Sequence, residues 1–83
     1  MDMRKLLGRN FARLRAERGL TQEVVAERAN LSQQYISGIE NGVRNPTIET
    51  LYALSQALEV GLFELLQPDS SESGANFSTR PPA

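Results

Sequence analysis

The chain of 83 residues contains no cysteine and no histidine. It therefore cannot form disulfides, and it lacks thiol nucleophiles, imidazole bases and the usual zinc ligands. These absences predict that the protein is not an enzyme and binds no metal and no other cofactor. No apolar run reaches the roughly 18 residues that cross a bilayer, and the first residues lack the continuous apolar segment of a secretory signal. We expect a cytoplasmic protein that does not associate with membranes.

The composition is that of one ordinary soluble domain, with 40% hydrophobic and 23% charged residues. A chain of this length buries one small core, which leaves little room for a catalytic cleft. Its net charge is −1, but residues 1–44 carry eight basic and five acidic side chains, and the rest carries one basic and five acidic. A local basic surface attracts phosphates whatever the total charge is, because salt screens each charge beyond about 10 Å. A solvated helix surface would explain the same charges.

Polar and glycine-containing breaks divide the first 67 residues into five short segments, none of which alternates as a half-buried strand would. Apolar residues recur in them at helical spacing, and Thr21, Ser32 and Thr47 stand where N-caps are expected. The fold class is therefore predicted to be all-α. The predicted helices cover about residues 2–18, 21–29, 32–40, 47–58 and 61–66.

The apolar stripe of the fourth segment is expected to face the core. Its members are Ile48, Leu51, Leu54 and Leu58, with Tyr52 beside them.

The fifth segment has more apolar side chains than one face of a two-turn helix buries within its own domain. We expect Leu62, Phe63 and Leu66 to contact a second copy of the chain. Complete burial against the first and fourth helices is the alternative.

Residues 68–83 are rich in serine, proline and glycine, with Phe77 as their single aromatic residue. Such a segment cannot bury enough apolar surface to offset its ordering entropy. We therefore expect one domain over residues 1–67 and a flexible tail over 68–83, in which Phe77 is a possible contact for a protein partner.

The second and third segments are joined by only Asn30 and Leu31, the connection length of a helix-turn-helix. Ile36 and Ile39 are expected to fill the angle between the two helices. The exposed start of the third segment then carries Gln33-Gln34, whose amides can pair with the N6 and N7 edge of adenine. A helix N-terminus also attracts phosphate, so the segment about 32–40 is predicted to enter a major groove. A solvated helix surface is again the alternative.

From about Leu6 to Leu66 the chain resembles the phage repressor and Cro-like helix-turn-helix group, the XRE family of bacterial regulators. The strings RGLTQEVVAERANLSQQYISGIENGVRNPTIETL and ALEVGLFELL carry the resemblance, in the family's order and spacing. It implies a five-helix lambda-repressor-like domain in which helices 2 and 3 form the helix-turn-helix. The base-contacting residues that it implies are Gln33, Gln34, Ser37 and Tyr35.

The resemblance also implies contacts to the DNA backbone. In family members, the glutamine that corresponds to Gln22 contacts the backbone and often also braces the first recognition glutamine. The implied backbone-contacting residues are Gln22, Ser32, Asn41, Arg44, Asn45, Thr47, Arg13 and Arg18. Arg15 and Glu40 match a structural ion pair inside the domain. Gly38 stands where similar proteins often carry a longer polar residue. Either close packing or tight approach to DNA would explain a glycine at this position.

These observations predict sequence-specific binding of double-stranded DNA by a homodimeric transcriptional regulator, with repression as the favoured mode. Two recognition helices about 34 Å apart would read a palindromic operator. The alternative is an antitoxin or adaptor that uses the same fold chiefly to hold another protein.

Overall fold

The computed structural model describes residues 2–68, which form five α-helices and no strand. They are α1 (Met3–Glu17), α2 (Gln22–Ala29), α3 (Gln33–Glu40), α4 (Ile48–Leu58) and α5 (Leu62–Leu66). The all-α prediction is confirmed, and each helix begins and ends within one residue of its predicted bounds. The predicted tail, apart from Pro68, lies outside the described residues, as does Phe77. Between residues 2 and 68, no helix combines the length and apolarity needed to cross a membrane.

Side-chain caps define where four of the helices begin: the Asp2 carboxylate caps α1, and hydroxyl groups cap α2, α3 and α4. The hydroxyls of Thr21, Ser32 and Thr47 each accept a hydrogen bond from the amide three residues later, at 3.0 to 3.1 Å. Each cap satisfies one of the amides that a helix N-terminus leaves without a partner. Asn30 ends α2 with φ 60°, and Gly19 follows α1 with φ 68°, so both residues turn the chain through the left-handed region.

One hydrophobic core lies among the five helices. α1 packs against α3 and α5, and α2 packs against α3 and α4. Ile36 and Ile39 are buried, as predicted for the angle of the helix-turn-helix. The buried hydrophobic residues that pack in one cluster are Leu7, Phe11, Leu14, Val25, Ala26, Ile36, Ile39, Leu54, Ala57, Leu58 and Leu65, and Leu6 is buried as well.

The prediction for α4 is wrong at two positions. Leu54 and Leu58 are fully buried and Leu51 is partly buried, but Ile48 and Tyr52 keep 75% and 56% of their surface exposed. The buried face centres on Leu54 and Leu58, and Ile48 and Tyr52 are about a quarter turn or more away from that centre. The phenol of Tyr52 instead accepts a hydrogen bond from Gln56 at the helix surface, at 2.9 Å.

α1 and α3 approach so closely that their backbones are in contact. A Cβ atom at Gly8 would lie 2.6 Å from the carbonyl oxygen of Glu40 and 2.7 Å from that of Ile39. Real Cβ atoms do not come this close to another atom, so only glycine fits at this crossing. The contact places the end of α3 against α1.

A buried asparagine holds the end of α5. Asn10 is fully buried in α1, and its Nδ2 donates to the carbonyl oxygens of Leu65 at 2.9 Å and Gln67 at 2.7 Å. These oxygens belong to a helix C-terminus, where backbone acceptors lack partners within the helix. Asn10 therefore caps α5 from outside and fixes it on α1.

Candidate nucleic-acid interface

The starts of α2 and α3 share one concave polar surface, which is lined by Gln22, Gln33, Gln34 and Ser37. Gln33 and Gln34 are exposed at the first turn of α3. Within residues 2–68, their side-chain amides have no hydrogen-bonding partner. Both amides are thus available to donate and accept outside the molecule.

The hydroxyls at the starts of α3 and α4 differ in what they can still bind. The Ser32 hydroxyl accepts from the amide of Tyr35 and keeps its proton available for an external acceptor. The Thr47 hydroxyl accepts from the amide of Thr50 and donates to the Thr50 hydroxyl at 3.2 Å. Ser32 can therefore donate to a phosphate directly, whereas Thr47 would first have to release Thr50.

Arg44 lies against α3 although it belongs to the loop before α4. Its guanidinium carbon is 5.1 Å from the centre of the Tyr35 ring, a cation–π contact. Its side chain also covers Gly38, since a Cβ atom there would lie 2.8 Å from Arg44 Cγ. Tyr35 is partly buried, beneath the guanidinium group of Arg44.

The implied ion pair is present, and it extends to the candidate interface. Two guanidinium nitrogens of Arg15 donate to the Glu40 carboxylate, and a third donates to the carbonyl oxygen of Leu20 at 2.8 Å. The hydrogen bonds from Arg15 to Glu40 raise the pKa of Arg15 above its ordinary value. Gln22 Nε2 also donates to Glu40, at 3.1 Å. The free protein thus holds Gln22 through Glu40, and not through the first recognition glutamine.

The remaining residues implied as contacts to the DNA backbone lie at the end of α3, in the loop before α4 and on α1 or directly after it. Asn41 is exposed at the end of α3, where its Nδ2 lies 3.5 Å from the Ser37 hydroxyl. Asn45 is exposed in the loop before α4, which lines an apolar groove together with α1, α4 and α5. Arg13 and Arg18 are exposed on the surface, and each has part of its guanidinium group bound to other residues of the chain.

The internal partners of the two arginines are well defined. Arg13 donates to Asn10 Oδ1 at 3.0 Å and is 3.9 Å from a Glu17 carboxylate oxygen. Arg18 donates to the carbonyl oxygen of Glu59 at 3.3 Å, beside the C-terminus of α4. Arg13 thus contacts neighbours on its own helix, and Arg18 joins the end of α1 to the end of α4.

One of the three residues predicted at a dimer interface, Leu66, lines an apolar groove of about 200 Å³. Phe63 is 80% exposed, and Leu62 and Leu66 are partly buried. Leu66 lines the groove, and Phe63 stands one turn before it on the same side of α5. The sequence did not indicate that residues distant from α5 also line this groove, among them Met3, Leu7, Pro46 and Leu51.

Comparison with known proteins agrees with this geometry. The helix-turn-helix family model matches residues 11–65. The chain belongs to this family. The match supports the phage repressor and Cro-like resemblance inferred from the sequence, and with it the class of DNA-binding helix-turn-helix transcriptional regulators.

Relatives of the chain carry names of the same class. The chain is 63% identical over 68 residues to the uncharacterized HTH-type transcriptional regulator y4dJ of Sinorhizobium fredii, covering 82% of this chain and 88% of that protein. A hypothetical transcription factor, NHTF from Neisseria, has the same fold with a TM-score of 0.79 and 28% identity, over 84% of this chain and 80% of that one.

A third relative was solved on DNA. It is the restriction-modification controller protein C.Esp1396I, as a tetramer in complex with its natural 35 base-pair operator. The TM-score is 0.73 with 38% identity, covering 80% of this chain and 91% of that one.

Proposed function

We propose that this protein binds double-stranded DNA sequence-specifically as a homodimer and regulates transcription from the site it occupies. The observation that carries the proposal is the pair of exposed amides on Gln33 and Gln34, which have no internal partner within residues 2–68. An amide can pair bidentately with adenine in the major groove, and α3 has the length and the exposure to enter that groove. Ser37 and Tyr35 complete the base-contacting set.

Phosphate contacts would surround this helix and fix its register on the duplex. The proposed set is Gln22, Ser32, Asn41, Arg44, Asn45 and Thr47. Arg13 and Arg18 are further candidates, because both side chains are exposed and each uses only part of its guanidinium group on Asn10, Glu17 or the carbonyl oxygen of Glu59.

The second copy would bind across α5 and the neighbouring groove. Phe63 exposes four-fifths of its surface, and an exposed aromatic side chain beside an apolar groove is typical of an interface. Leu62, Phe63 and Leu66 would contact the partner, and two-fold symmetry would make the operator palindromic. The C.Esp1396I tetramer on its operator supports binding by more than one copy.

Selection from a random duplex library tests the proposal. The bound fraction should converge on one palindromic site whose half-sites lie about one helical turn, roughly 34 Å, apart, and footprinting should show protection of both halves. Selection without convergence, from folded protein at low ionic strength, would contradict sequence-specific binding.

Repression is the favoured mode of regulation. A dimer on an operator that overlaps a promoter would block polymerase there, so a reporter fused to the selected site should lose expression when the protein is supplied. A rise in expression would show that the protein activates instead. Copurification of a protein partner at a fixed ratio, with no effect on the reporter, would favour the antitoxin or adaptor alternative.

A further inference from the structure

Gly38 is a buried residue of α3, the recognition helix of the proposed function. The atoms nearest to its missing side chain all belong to Arg44. A Cβ atom would lie 2.8 Å from Cγ, 3.0 Å from Nε and 3.4 Å from Cδ of that arginine. Arg44 therefore occupies the space that any other residue at position 38 would need.

The backbone brings Arg44 to this place. The amide of Val43 donates to the carbonyl oxygen of Gly38 at 3.0 Å, and the amide of Gly42 donates to that of Ile39 at 3.1 Å. The loop thus folds back onto the last turn of α3, and residue 44 begins beside that turn. From there its side chain crosses Gly38 and reaches the Tyr35 ring, 5.1 Å from the guanidinium carbon.

We propose that Gly38 is a positioning residue. Because it has no side chain, Arg44 can lie along α3, where its guanidinium group stacks on Tyr35 and is placed for contact with DNA. This inference rests on the proposed function. A long side chain that is ordered before binding loses less conformational entropy when it meets its ligand. Stacking also leaves the edge nitrogens of a guanidinium free to donate to DNA.

The substitution Gly38→Ala tests the inference without disturbing the core. The atoms that it displaces belong to a flexible surface side chain, and alanine favours a helix more than glycine does. We expect the variant to fold and to bind the selected operator about two- to tenfold more weakly, the range that ordering of one long side chain contributes.

The effect should depend on Arg44. In an Arg44→Ala background, Gly38→Ala should change operator affinity by less than about twofold, because no arginine remains to be displaced. An equal loss in both backgrounds would show that Gly38 acts by its own approach to DNA and would overturn the inference. Unchanged affinity of the single variant would overturn it as well.

A measurement without DNA separates this inference from the proposed function. In the NMR spectrum of the free protein, the side-chain protons of Arg44 should be shifted upfield by the Tyr35 ring, and Gly38→Ala should remove most of that shift. Retention of the shift in the variant would overturn the inference even if DNA binding is established. Failure of the wild-type protein to bind any duplex would refute the proposed function and leave the NMR result standing.

Discussion

Two exposed side chains of the proposed interface differ in how firmly the protein holds them. Gln33 has no partner among the described residues, whereas Arg44 is stacked on Tyr35. A neutral amide can distinguish base edges, and a guanidinium beside the duplex adds charge that every DNA sequence attracts. The two residues should therefore contribute differently to specificity and affinity.

Replacement of Gln33 with alanine should relax the preference at one base pair in each half-site. The loss of a bidentate pair lowers affinity for the preferred operator by about 1 to 3 kcal/mol, and binding to unrelated duplexes should stay the same. Competition binding with single-base operator variants measures both effects. An equal loss on all duplexes would contradict a base contact.

Arg44→Ala should weaken binding to all duplexes to a similar extent. It should also flatten the dependence of log K on log salt concentration, by about one unit for each phosphate that the arginine neutralises. Titrations at several salt concentrations provide the slope. A loss confined to one base pair would show that Arg44 reads a base instead.

Single residues also show where sequence reasoning was insufficient. The amides of Gln33 and Gln34 could be predicted as exposed because they directly follow the cap Ser32, and because Gln34 lies opposite Ile36 and Ile39 on the helix. The role of Asn10 could not, since its partners are carbonyl oxygens more than fifty positions away. A polar residue within an otherwise apolar helical stripe was the one signal for it.

At the scale of helices, α1 and α3 depend on Gly8 for their contact. Gly8→Ala should lower the free energy of unfolding by about 1 to 3 kcal/mol, because the new methyl group meets backbone atoms that cannot move independently. Urea denaturation measures the change. Gly38→Ala is the matched control, and there the free energy should stay the same or rise by up to about 1 kcal/mol.

α5 depends on Asn10 in a comparable way. Asn10→Ala would leave the carbonyl oxygens of Leu65 and Gln67 without their donor and should lower the free energy of unfolding by about 1 to 3 kcal/mol. Amide hydrogen exchange should accelerate in α5 more than in α2. Uniform acceleration through all helices would show that Asn10 supports the whole core and not this helix in particular.

The helices themselves were predictable because their signals are local. Thr21, Ser32 and Thr47 cap in place, and the breaks at Gly19 and Asn30 fall in left-handed turns. Tertiary packing determines which part of a helix's apolar stripe faces its neighbours. In α4 it leaves Ile48 and Tyr52 exposed. The backbone contact at Gly8 and the course of Arg44 over α3 depend on tertiary packing as well.

For the whole molecule, the proposed dimer can be tested without damage to the domain. Phe63 is largely exposed in the single chain, so Phe63→Glu should leave thermal unfolding of the monomer nearly unchanged. Sedimentation should then show a monomer, and operator affinity should fall by about a hundredfold or more because the two half-sites are no longer bound together.

The control for this variant lies on the other surface. Gln34→Ala should alter DNA binding and leave the sedimentation of the free protein unchanged. A Phe63→Glu protein that still sediments as a dimer would place the contact between copies elsewhere.

The independence of Gln33 and Gln34 from the rest of the molecule has a consequence for how such regulators diversify. Since neither amide bonds to another described side chain, exchange of these two residues should leave folding intact while it redirects the protein to new operators. Gln22 lacks this freedom, because it shares Glu40 with Arg15. If the proposed function holds, retargeting by natural drift or by a designer should be least constrained at the first turn of α3, where substitution removes no hydrogen bond within the described residues.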